Sequence, residues 1–174
     1  MDIIIKEEIY DITRNSNNTK WWKMKYIEYK KSAIRHYLIC DNLFIRFRDL
    51  MSQGNEADAK KILLGIYYIC GYIYECGIKY KILELCCHDE SLDVSKQSCS
   101  GYSFNYHNDF KIHNLCKLIE LLDVLAGNDT KNEIIDGNAE LFNHWSPDVR
   151  YQESICDEYK VLAFYNKSKL MIRA

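Results

Sequence analysis

Between residues 62 and 80 the chain carries only two charged side chains, Glu75 and Lys79, in an otherwise apolar and aromatic run. A helix with apolar side chains on nearly every side has no face to offer water, so other elements have to wrap it. Asn55 suits the N-cap of such a helix, and Glu56 and Asp58 suit its first turn, where the positive end of the helix dipole favours acids. The pattern predicts a central helix over residues 55–87. Glu75 precedes Lys79 by one turn, the favourable orientation for an i,i+4 ion pair. Inside a wrapped helix those charges are sheltered and have to be satisfied by neighbours, within the chain or in another one. The longest uncharged run, residues 62–74, is far short of the roughly 20 residues that cross a bilayer, which argues against a membrane span.

The remainder of the chain reads as helices packed around that rod. A single Pro and seven Gly in 174 residues leave too few corners for a hairpin-rich sandwich, and 48% hydrophobic content argues against disorder. The expected fold is all-α: one domain, residues 1–174, forming a bundle of about five helices behind an N-terminal extension over residues 1–18. A first helix is expected over residues 19–52, because Trp22, Tyr26, Ala33, Tyr37, Phe44, Phe47 and Met51 recur on one stripe, with Gly54 ending it. Residues 88–108 are polar and read as a long loop, the place for a mobile or functional segment. A third helix over residues 109–126 carries Ile112, Leu115, Leu118, Ile119, Leu122 and Leu125 on one face and stops at Gly127. Thr130 and Glu133 have capping-box spacing ahead of a fourth, with Ile134, Ile135, Leu141 and Phe142 as its apolar residues. A turn at SPDVRYQ leads to a last helix over residues 153–172.

Charge is segregated along the chain. Residues 14–35 hold seven Lys/Arg against Glu28 alone, and residues 120–158 hold ten acids against Lys131 and Arg150. Such segregation steers an anionic partner, brings two copies together, or simply solvates two faces. The stretch KWWKMKYIEYKKSAIR places Lys23, Lys25 and Lys30 among Trp21, Trp22, Tyr26 and Tyr29. Lysines there can follow phosphates while Trp21, off the buried stripe, stacks on a base; equally, the lysines are the wet side of an amphipathic helix. The amino terminus lacks the basic and apolar regions of a signal peptide, so a cytoplasmic location is expected and the eight Cys read as small buried hydrophobes. Among Cys86, Cys87, His88, Cys99, His107, His113 and Cys116, only His113 and Cys116 have the close spacing of metal ligands, so no metal is expected. No P-loop, Rossmann glycine pattern or HExxH is present, and no cofactor is expected.

Three separate patches carry a resemblance. GYIYECGIKY supplies Gly71, Tyr72, Glu75 and Lys79; HNLCKLIELL supplies His113 and Leu115; WSPDVRY supplies Trp145, Pro147, Arg150 and Tyr151. In order and spacing they resemble the HEPN superfamily of helical-bundle proteins, over roughly residue 60 to the carboxyl end. The resemblance implies a homodimer in a prokaryotic toxin–antitoxin or defence system, with RNA, an antitoxin or a nucleotidyltransferase as partner. Catalytic relatives are metal-independent ribonucleases with an Arg followed by His after four to six residues. No Arg here has a His at that spacing; after Arg150 the window holds Ile155, Cys156 and Asp157. The chemistry needs an imidazole for the 2′-hydroxyl proton and a guanidinium for phosphate charge. Without the usual dyad, three readings stand: an RNA- or partner-binding protein, a non-catalytic scaffold for a nucleotidyltransferase, and a ribonuclease in which His113 or His144 works with Arg150.

Overall fold

The computed structural model describes residues 24–127, 130–135, 137–153 and 157–172, and all regular structure among them is helical. α1 (Ile27–Ser52) and α2 (Glu56–Leu85) form an antiparallel hairpin. Gly54, at φ 71°, makes the reversal: its N–H donates to Met51 O and the Asn55 N–H to Leu50 O, which closes the α1 carbonyls. The Asn55 side chain then accepts from the Asp58 N–H and opens α2 as expected. After a long connection come a π turn (Tyr106–Phe110), α3 (Leu115–Ala126), α4 (Thr130–Ile135) and α5 (Ala139–His144). A 3-10 turn (Pro147–Tyr151), α6 (Glu158–Ser168) and a final 3-10 turn (Lys169–Met171) complete the order.

α2 is the axis of the bundle. It packs along α1 and touches α3, α6 and both 3-10 turns. Ile66, Cys70, Ile73, Tyr74, Ile78, Ile82 and Leu83 on it are fully buried. Each large apolar side chain removed from water in this way contributes about 1.5–3 kcal/mol before ordering entropy is counted. The buried phenols are satisfied across the bundle: Tyr67 donates to Leu141 O and Tyr74 to Phe164 O, both at 2.8 Å.

Several boundaries differ from those expected. α1 starts at Ile27; residues 24–26 are drawn off by the 88–108 segment, since Val94 N–H donates to Met24 O and Lys25 reaches Ser91 O and Asp93. Residues 1–23 lie outside the described residues, and with them the N-terminal extension, Trp21, Trp22 and Lys23. Met51 was expected on the buried stripe but is exposed, and Leu50 is buried in its place. α3 starts six residues later than expected, because Asn114 caps it through the Lys117 N–H and the chain before it turns at Asn105. The expected fourth helix is two short ones, parted at Gly137, whose φ is 74°; α4 has Thr130 as its first helical residue rather than its cap. Asp157 caps α6 through the Lys160 N–H, so that helix starts later than residue 153.

Segment 88–108 is not a bare loop. His88, Cys99 and Phe104 are buried, and Phe104 stacks on Phe110, which faces Tyr29 of α1. α2 ends with the Cys87 N–H on Glu84 O and the His88 N–H on Leu83 O, while Cys87 itself sits at φ 51° and is exposed. Cys87 therefore departs from the expected buried role, whereas Cys40, Cys70 and Cys99 keep it. No helix among the described residues is long and apolar enough to cross a membrane.

Of the glycines, Gly71 is approached most closely: a Cβ there would lie 1.7 Å from Trp145 Cε2. Gly71→Ala should therefore cost about 2 kcal/mol or more by expelling the Trp145 ring. Urea unfolding followed by tryptophan fluorescence checks this, with Gly65→Ala, which meets only Leu43 Cδ1 at 3.6 Å, as the tolerated comparison.

Candidate functional site

Halfway along α2, Glu75 and Lys79 are 6% and 5% exposed. Their i,i+4 spacing puts them on one face, and Lys79 Nζ lies 2.7 Å from Glu75 Oε1. Lys79 also donates to Ile112 O at 2.8 Å and stands 5.8 Å from the centre of the Phe110 ring. Those contacts explain why the chain is not helical at Ile112: its carbonyl serves the buried ammonium. A buried ion pair survives only when its remaining donors and acceptors find partners, and here they do.

The second oxygen of Glu75 faces His113, with Oε2 2.9 Å from Nδ1. His113 is the residue before the Asn114 cap, so it does not itself cap α3. Its side chain is 61% exposed. An ionised carboxylate only accepts hydrogen bonds, so in neutral His113 the proton sits on Nδ1 and Nε2 keeps its lone pair. The arrangement is a buried acid orienting an exposed base, as in hydrolase triads.

A second group adjoins the first through Tyr72. The Tyr72 phenol lies 3.3 Å from that of Tyr68, and its ring meets Trp145 edge-on. Trp145 Nε1 donates to Tyr68 O, which ties the WSPDVRY turn to α2. Arg150 on that turn lies over the Tyr151 ring, its guanidinium carbon 4.7 Å from the centre, and is near enough to Tyr68 to interact with it electrostatically. Desolvation raises the Tyr72 phenol above its ordinary value, Tyr68 and Glu75 raise it further, and Arg150 opposes them. From α1, His36 stacks on Tyr72 at 5.5 Å, and burial lowers its imidazole, with Arg35 adding to the effect. Cys76, next to Glu75, is no thiolate nucleophile: burial and then the Glu75 charge push its thiol up to about 12.

Glu75, Lys79, Tyr72, His113, Arg150 and Tyr151 are thus brought onto one side of α2. His144 is placed differently, at the end of α5 within electrostatic reach of Glu140, which pairs with Lys160. Lys25 is engaged with the 88–108 segment, and Lys30 lies over the Tyr80 ring at 5.1 Å. Trp21 and Lys23 lie outside the described residues. His36 and Tyr68 are additions that the sequence pattern did not single out. Tyr68 precedes Tyr72 by one turn, and His36 interrupts the apolar stripe between Ala33 and Cys40, which was the available signal. Among the described residues, no group of three or more His, Cys, Asp or Glu is arranged to hold a metal ion.

No known family model matches this chain, and neither does any curated protein or any solved structure.

Removing Glu75 alone strands a buried ammonium. Glu75→Leu or Lys79→Met should each lose about 3–5 kcal/mol, while the two combined should lose less than either. Denaturant unfolding of the four proteins measures this cycle; simple additivity would show that the two charges do not depend on each other.

Proposed function

We propose that the chain is an RNA-cleaving, HEPN-like component of a prokaryotic toxin–antitoxin or defence system. The single observation that carries this reading is the Glu75 carboxylate gripping Lys79 on one oxygen and an exposed His113 on the other. His113 Nε2 takes the proton of a ribose 2′-hydroxyl. The 2′ oxygen then attacks the adjacent phosphorus, the bond to the 5′ oxygen breaks, and that oxygen takes a proton from solvent. The products are a 2′,3′-cyclic phosphate and a 5′-hydroxyl end. Arg150 neutralises charge on the non-bridging oxygens, and the exposed Tyr151 ring offers a base a stacking surface. Glu75 and Lys79 position the imidazole and do not touch RNA. The likeness of Gly71, Tyr72, Glu75, Lys79, His113, Trp145 and Arg150 to the HEPN pattern supports the same reading, because these residues gather around one stretch of α2.

A second reading is binding without cleavage, to RNA or to a nucleotidyltransferase or antitoxin partner. It is favoured by Arg150, whose guanidinium already lies over the Tyr151 ring and so suits a fixed docking surface.

Purified protein incubated with mixed RNA in EDTA should yield cyclic-phosphate ends. His113→Ala should lower the rate about 100-fold or more, and Arg150→Ala should lower it by a comparable factor. His144→Ala should leave it unchanged. Salt-sensitive RNA binding with no cleavage would replace the first reading by the second.

A further inference from the structure

Tyr72, at the edge of the Glu75 cluster, is covered from α1 by His36, whose ring stacks on it with centres 5.5 Å apart and planes 30° from parallel. His36 is half-buried, and its Nδ1 is sealed from solvent with no hydrogen-bond partner among the described residues, so Nε2 is the ring nitrogen left at the surface. Buried N–H groups without acceptors are rarer than buried acceptors without donors. In the neutral ring Nδ1 is therefore bare and the proton sits on Nε2. Protonating the ring would add an unpartnered N–H at Nδ1. Burial and then the Arg35 cation lower its pKa, against a smaller opposing pull from Glu75. At neutral pH His36 thus presents an uncharged N–H donor to solvent. It is the converse of His113, in which Glu75 holds the proton on Nδ1 and leaves Nε2 bare.

The charges around Tyr72 point to what this donor meets. Glu75 is offset by Lys79 at 2.7 Å, whereas Arg35, which donates to Ser32 Oγ at 2.8 Å, and Arg150 have no acidic partner among the described residues. Both arginines act on this part of α2, Arg35 on Cys76 and Arg150 on Tyr72. The groups left without a counterpart are cations and an N–H, the complement of a phosphodiester oxygen. We propose that His36 Nε2–H is a phosphate contact, donating to a non-bridging oxygen of the phosphate that Arg150 neutralises, on the α1 side of Tyr72 with Arg35 beside it. The ring gives and takes no proton; it holds charge that grows on that oxygen as the 2′ oxygen attacks phosphorus. The contact rests on the RNA-cleaving reading, whereas the tautomer of His36 does not.

A long-range proton–nitrogen spectrum at neutral pH should show His36 uncharged, with its proton on Nε2. A single-stranded DNA oligonucleotide keeps the phosphates but lacks the 2′-hydroxyl, and titrating it should move the His36 Nε2 resonance. On mixed RNA in EDTA, His36→Ala should lower kcat about tenfold or more at little-changed KM. His36→Gln, whose amide reaches the Nε2 position, should keep most of the rate, and His36→Asn, whose amide sits where Nδ1 does, should not. Each variant should keep the shape of the wild-type pH profile, because the ring moves no proton. A proton on Nδ1, a charged ring, a DNA titration that leaves His36 unmoved, or equal rates for the Ala and Gln variants overturns the proposal while wild-type cleavage stands. If the wild type cleaves nothing, the RNA-cleaving reading fails by itself and DNA binding decides: affinity about tenfold weaker in His36→Ala but retained in His36→Gln supports the phosphate contact, and unchanged or absent binding overturns it.

Discussion

The Glu75–Lys79 pair is the constraint around which the bundle is arranged. Two charges on the most buried helix of a small domain cost several kcal/mol each in lost hydration, and their mutual attraction offsets this only with complete hydrogen bonding. The structure supplies the remaining partners from the segment that follows the long connection: Ile112 gives its carbonyl to Lys79, and His113 gives its imidazole to Glu75. The irregular backbone between the π turn and α3 is therefore a requirement of the ion pair. It delays the start of α3, and it leaves His113 held at Nδ1 on an exposed edge.

The helical architecture was legible because it rests on periodicity. An almost uncharged run from residue 62 to 80 has to be central, and Asn55, Gly54 and Gly127 are residue types with narrow backbone uses. Boundaries set by tertiary contacts were not legible. Residues 24–26 would continue α1 by pattern, yet the Met24 carbonyl is taken by the Val94 N–H and the Lys25 side chain by Ser91 and Asp93. Asn114 outcompeted the expected earlier start of α3 because its side chain satisfies the Lys117 N–H directly. Met51 shares the spacing of the buried stripe yet is exposed, since a stripe drawn from spacing alone does not say where the partner helix ends.

The site was legible in part, and for a different reason. Glu75 and Lys79 stand out as charges in an apolar run, and His113 and Arg150 belong to short patterns read by resemblance. Sequence spacing does not report which residues converge, since His113 is 38 positions from Glu75 and Trp145 is 77 positions from Tyr68. Gly71 links the levels. Its missing side chain admits Trp145, Trp145 fixes the turn bearing Arg150, and that turn is brought beside Tyr72 and the buried acid.

The protonation state of one ring reports most directly on this account. A long-range proton–nitrogen correlation spectrum of the His113 imidazole, taken where the ring is neutral, should show the proton on Nδ1 and a bare Nε2, with Glu75→Gln shifting the Nδ1 resonance. A proton on Nε2, or a ring averaging freely between tautomers in the wild type, would contradict a carboxylate grip on His113 and remove the basis for the role proposed for it as a base.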